Sequence, residues 1–126
     1  MAIESTKTWV LGKQIAVETY KICALLPKHE TYALSDQMRR AAVSIPSNIA
    51  EEYGRETTKE YVKFLSYAKG SVMELKTQIQ IAVDIGYFTK EQSAKLLLMC
   101  DQEVNMLSSQ VVSLTNKTPE DGDICK

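Results

Sequence analysis

The chain has 126 residues, 44% hydrophobic and 25% charged, which is enough for one globular domain with a real core. Its 15 Lys and Arg residues nearly cancel 16 Asp and Glu, and a net charge of −1 excludes any global attraction to nucleic acid or to an anionic membrane. Five glycines and three prolines supply too few turns for an all-β sandwich and favour long helices.

The opening MAIESTKTW lacks the apolar stretch of a secretion signal, and no segment is apolar for long enough to span a membrane. Cys23, Cys100 and Cys125 show neither C-x-x-C spacing nor an even count. A reduced, cytoplasmic protein is therefore expected.

The first helical segment is expected from about Thr8 to Leu26. Trp9, Ala16, Tyr20 and Cys23 share one face, and Leu11, Ile15, Ile22 and Leu26 form an adjoining row. Pro27 is its stop signal. The second runs from Ser35, an expected N-cap, to Tyr53, with a row made by Leu34, Met38, Ala41, Ala42, Ile45 and Ile49. Gly54 then stands where a helix end favours a residue tolerant of positive φ.

Pro46 falls inside this second pattern. It has no N–H to offer the Ala42 carbonyl, and its ring crowds the preceding turn, at a cost of roughly 3 kcal/mol in a helix interior. Met38, Ala41, Ile45, Ile49 and Glu52 nevertheless keep one helical phase across it. A piece restarted near Asn48 would also be too short to stand alone. One bent helix is the expectation, with Ser44, Ser47 or a water satisfying the freed carbonyl.

The third segment is expected from Thr58 to Ile85. Thr57 and Glu60 form a capping box at its start and Gly86 is its stop. Its stripe is Tyr61, Phe64, Leu65, Ala68, Val72, Leu75, Ile79, Ala82 and Val83. The fourth is expected from Lys90 to Thr115, capped by Thr89 with Gln92, and carries Leu96, Leu97, Cys100, Val104, Leu107, Val111 and Leu114. Residues 117–126, polar and broken by proline, read as a flexible tail behind a single domain over 1–116. Four helices on short loops predict an all-α fold: an antiparallel up-down-up-down four-helix bundle, with its second helix kinked at Pro46.

The blocks QMRRAAVSIPSNIAEEYGR and FLSYAKGSVMELKTQI carry a resemblance. The chain resembles the four-helix-bundle family of 23S rRNA-intervening-sequence proteins, whose pattern is Q-x-R-R-A-x-x-S-I-P-S-N-I-A-E-G, then a G-R turn, then F-L-x-x-A-x-G-S-x-x-E-L-x-T-Q. Its matching positions include Arg39, Arg40, Ser44, Pro46, Ser47, Asn48, Glu51, Gly54 and Glu74, read as a structural motif, and the likeness covers roughly residues 9 to 88. Glu52 departs from it, standing where the family usually has glycine. The resemblance implies a small bacterial cytoplasmic protein, a ring-shaped homopentamer, and no established catalytic residues. The accessory proteins of diversity-generating retroelements, which bind nucleic acid, are more distantly similar.

Assembly has a hint of its own in the residues. Beside the core rows lie Leu11, Ile15, Ile22 and Leu26 on the first helix, then Val43 and Ala50, then Tyr67, Ile81 and Ile85, then Leu98, Met99 and Met106. Apolar surface of that extent marks an interface, and a homo-oligomer acting as a protein-interaction module is the expected function.

Catalysis finds little footing. His29 is the only histidine and sits in a loop; a di-iron bundle needs paired Glu-x-x-His motifs, which are missing. Cys23 and Cys100 read as core residues, and no phosphate-binding glycine loop occurs. Glu51, Glu52, Glu56 and Glu60 read as a solvated helix end. No cofactor, metal or small-molecule substrate is expected. Glu74 is expected to pair with Arg40 or Arg39, within the bundle or across subunits, because a carboxylate on that face is costly alone. Arg55, Lys59 and Lys63 are the candidates for RNA or DNA contact, their charge concentrated only if several copies form a ring.

Overall fold

The computed structural model describes residues 6–54 and 57–115. Among these lie four helices and no strand: α1 (Lys7–Cys23), α2 (Leu34–Tyr53), α3 (Thr58–Ile85) and α4 (Lys90–Thr115), with a short 3-10 turn at Lys28–Glu30 before α2. Neighbouring pairs are α1 with α2, α2 with α3, α3 with α4, and α4 with α1. One core runs between the four, in the manner of a four-helix bundle.

Helices α3 and α4 have the boundaries their caps dictate. The Glu60 N–H donates to Thr57 Oγ1 at 3.2 Å. Thr89 and Gln92 cap each other reciprocally: the Gln92 N–H donates to Thr89 Oγ1 at 3.0 Å, and the Thr89 N–H donates to Gln92 Oε1 at 2.9 Å. Gly86 ends α3 in the left-handed region, at φ 99°, where a side chain would be strained.

The other two helices differ from expectation at their ends. Helix α1 stops at Cys23, and residues 24–26 tighten into i→i+3 bonds ahead of Pro27, which disfavours helix in the residue before it. Helix α2 begins at Leu34, not after Ser35, which is buried in its first turn. The cap comes from the preceding turn instead, where Glu30 Oε1 accepts from the Leu34 N–H at 3.3 Å. Gly54 has φ −92°, so it needs no left-handed conformation.

The helix runs unbroken through Pro46. Its serine does not take the expected partner: Ser44 Oγ donates to the Ala41 carbonyl at 2.8 Å and also bonds Ser71 Oγ on α3, while Ser47 is exposed. Asn48 Nδ2 donates to the Ser44 carbonyl at 2.8 Å, a side-chain bond spanning the turn that contains the proline.

The core rows of α2 and α3 are as the spacing dictates. Met38, Ile45, Ile49, Leu65, Val72, Leu75 and Ile79 have no exposed surface, and Leu107 of α4 joins them. In α1 the buried side is Thr8, Gly12, Ile15, Thr19, Ile22 and Cys23, with Tyr20 exposed and Trp9 only partly covered. Leu11 and Ala16 pack at its margin. The row first assigned beside the core, Ile15 with Ile22, is thus the core itself.

Gly12 lies on that buried face. A Cβ there would lie 2.9 Å from Glu103 Oε2, 3.2 Å from Ile45 Cγ2 and 3.5 Å from the Pro46 nitrogen. A side chain here would press on the Ile45 methyl and the Glu103 carboxyl, while its distance to the backbone of the proline turn would be ordinary contact. Gly70 on α3 meets nothing within 4 Å. Gly12→Ala should therefore lower thermal stability by about 1–3 kcal/mol through overpacking, whereas Gly70→Ala should raise it by about 0.5–1 kcal/mol through helix propensity. Paired thermal melts check the opposite signs.

Candidate functional site

The proline-centred block forms an outward wall. Arg39, Arg40, Val43, Ser44 and Ser47 project from α2 around an open groove of about 650 Å³, with Tyr20 of α1 and Asp36 at its edges. Spacings of three and four residues place Arg40, Ser44 and Ser47 on one face of the helix, while Met38, Ile45 and Ile49 face the core. The two arginines are already engaged. Arg40 Nε donates to Asp36 Oδ2 at 3.0 Å, one helical turn away. Arg39 donates to the carbonyls of Ser35 and Thr31 at 3.3 and 3.4 Å, with its guanidinium 5.8 Å from the Tyr20 ring.

Glu74 does not meet either arginine within the chain. It is exposed on α3, so the desolvation that was to force a pairing does not arise. Gln78, one turn on, is the buried member of that pair of positions, and its Oε1 has no hydrogen-bond partner.

Of the candidate nucleic-acid contacts, Lys59 and Lys63 are exposed in the first turns of α3. The Lys63 ammonium lies 5.9 Å from both the Phe64 and the Tyr67 ring centres. Arg55 and Glu56 lie outside the described residues, as do Cys125 and the 117–126 tail. Lys76 is bound to Asp101 at 2.7 Å. Among the described residues no group of three His, Cys, Asp or Glu side chains could hold a metal ion.

Sequence reasoning missed a polar contact at the loop end of the molecule. Tyr87 Oη donates to Glu30 Oε2 at 2.8 Å, and His29 Nε2 lies 3.2 Å from the same phenol oxygen. The Tyr87 bond, then the Leu34 amide, hold the Glu30 carboxyl below its ordinary range, while donating to that carboxylate pushes the phenol up. His29 remains largely exposed but is not isolated.

It also missed two buried carboxyls. Glu103 on α4 is 0% exposed and neither oxygen has a partner; Glu52 on α2 is 4% exposed. Burial alone pushes Glu103 up to about 8 and Glu52 up to about 7. The placement of Glu52 overturns its assignment to a solvated helix end. Both signals lay in the periodicity: Glu52 is in phase with Ile45 and Ile49, and Glu103 sits between Cys100 and Leu107 on the α4 stripe.

With this geometry in place, likeness to known proteins becomes informative. The family model for the 23S rRNA-intervening sequence protein matches residues 4–109. The chain belongs to that family. A crystal structure of a protein of unknown function from the S23 ribosomal protein family of Bacteroides thetaiotaomicron VPI-5482 is similar, with a TM-score of 0.77 at 19% identity over 82% of this chain and 97% of that one. At that identity the likeness is one of fold. No curated protein matches the chain. Within the family's pattern, Arg39, Arg40, Ser44 and Ser47 line the groove, and Ser44 ties α2 to α3 through Ser71.

The buried carboxyls give a stability prediction with a definite sign. Glu103 binds its proton more tightly folded than unfolded, so its contribution is fully present below about pH 4.5 and is lost as pH rises toward about 8. Glu52 acts in the same direction up to about 7. Glu103→Gln should flatten this decline, by on the order of 1 kcal/mol per pH unit within the window. Denaturant unfolding from acid to mild alkali measures it; equal slopes in wild type and variant would refute the assignment.

Proposed function

We propose that this chain is a non-enzymatic, cytoplasmic interaction module that works as a ring of identical copies, five by the family resemblance. The carrying observation is an uncovered apolar face on α3: Tyr67, Ile81 and Ile85 are 50%, 46% and 57% exposed. They share a helix face with Glu74. Val43 and Tyr20, also exposed, border the groove on the other side of α2. Apolar surface so placed on a helical domain favours burial against another copy.

A head-to-tail ring sets one face of each copy against a different face of the next. In this reading the α3 face of one copy lies against the α2 groove of its neighbour, and Glu74 meets Arg40 there, where the interface removes both from water. The arrangement rests on an antiparallel up-down-up-down bundle. Support for it comes from Gly12 against Ile45 and Cys23 against Ser35, since numbers rise along one helix as they fall along the other. A bend at Pro46 would fit the groove on the outer side of α2.

A nucleic-acid role is the second reading, favoured by the exposure of Lys59 and Lys63 at one end of α3. A ring would gather several copies of these around one opening.

Light scattering coupled to size exclusion tests the first reading. The expected result is a multiple of the 14.1 kDa chain, five in number, and reduction to a monomer by Ile81→Arg with Ile85→Arg. Arg40→Glu should weaken assembly and Arg40→Glu combined with Glu74→Arg should restore it. A wild-type chain of 14.1 kDa at high concentration refutes the proposal. Structured RNA bound with a steep salt dependence, lost in Lys59→Glu/Lys63→Glu, would favour the second.

A further inference from the structure

The far end of the molecule holds a cavity unrelated to the assembly face. It measures about 260 Å³ and is lined by Glu52 and Tyr53 at the end of α2, Tyr61 near the start of α3, and Gln110 and Leu114 near the end of α4. Glu52 is 4% exposed and has no hydrogen-bond or ion-pair partner among the described residues. Such a carboxyl is costly in a fold.

We infer that this cavity binds a primary alkylammonium group, with the Glu52 carboxylate as its counter-charge. The lining dictates the class. A carboxylate repels anions, so the guest is cationic or neutral. A divalent metal needs about six or more oxygen ligands and prefers several carboxylates, whereas this wall offers one, with two phenols and one amide. An ammonium head has three donors, which suit a carboxylate, a phenol oxygen and an amide oxygen. Tyr53 and Tyr61 add aromatic surface that attracts a cation, and Leu114 suits an alkyl stem. The volume is below that of drug-sized sites and fits a stem of roughly four to six carbons.

Burial pushes the empty carboxyl up to about 7, so near neutral pH much of it carries a proton. An arriving ammonium favours the charged form, and binding releases that proton to solvent. The same head group occurs on a free alkylamine and on a lysine side chain, and size separates the two sources.

The experiment is a titration of the full chain near pH 7 with n-butylammonium and, separately, with Nα-acetyl-lysine methylamide, by calorimetry in two buffers of different ionisation enthalpy. Saturable binding with proton release is expected, and in the carboxyl carbon NMR spectrum the Glu52 midpoint should fall by a unit or more from about 7. Glu52→Gln keeps the shape and should weaken binding by about tenfold or more; Tyr61→Leu should weaken it several-fold. Binding of both probes assigns the site to a lysyl group, and binding of n-butylammonium alone assigns it to a free amine. Failure of both probes to saturate the wild-type chain overturns the inference, as does Glu52→Gln binding within twofold of wild type. Neither outcome bears on the ring, because no residue of this cavity lies on the proposed assembly face.

Discussion

Four apolar rows, one from each helix, have to leave water together, and Gly12 marks a close approach of α1 to α2 and α4. A Cβ built at that point would meet the Ile45 methyl, the Pro46 nitrogen and the Glu103 carboxyl. A larger residue would require the Glu103 carboxyl and the Ile45 methyl to shift. Hydrophobic burial sets the driving force, and Ile15, Ile45 and Leu107 sit fully buried.

The same close packing accounts for the polar groups inside. Thr8, Gln78 and Glu103 each have buried side-chain oxygens without partners. A carboxyl that sits among Cys100, Leu107 and Gly12 is held neutral by desolvation. Stability at neutral pH is given up for it, since a similarly shaped amide or hydrocarbon would carry no ionisation penalty. Glu52 differs from Glu103 in bordering an open cavity, which is the reason one carboxyl reads as a binding group and the other as a structural burden.

Pro46 does locally what glycine does between helices. It removes the N–H that the Ala42 carbonyl would accept from, while the Ser44 and Asn48 side chains bond the neighbouring Ala41 and Ser44 carbonyls. Ser44 is also tied to Ser71 on α3. The proline turn is thus held by side chains of both its own helix and the next. Arg39 and Arg40, about two turns earlier on the outer side of α2, form part of the groove wall, so the block that carries the family likeness has a core side, a fastening and an exposed side.

Much of this was settled by the sequence alone. Periodicity located the four helices, and the capping pairs at Thr57 and Thr89, with Gly86, set the boundaries of α3 and α4, because those are local bonds between residues three or four apart. Helix continuity through Pro46 was legible in the phase of Ile45 and Ile49. What only tertiary structure decided were matters of long-range contact. Which row of α1 faces inward depended on how α1 packs against α2 and α4. The α2 cap came from Glu30 in the preceding turn rather than from Ser35. Tyr87 found Glu30 across 57 positions of sequence. The burial of Glu52 beside a cavity required α3 and α4 to close over the end of α2. Local hydrogen bonds are written in neighbouring residues, whereas desolvation is a property of what packs on top, and no single helix carries that information.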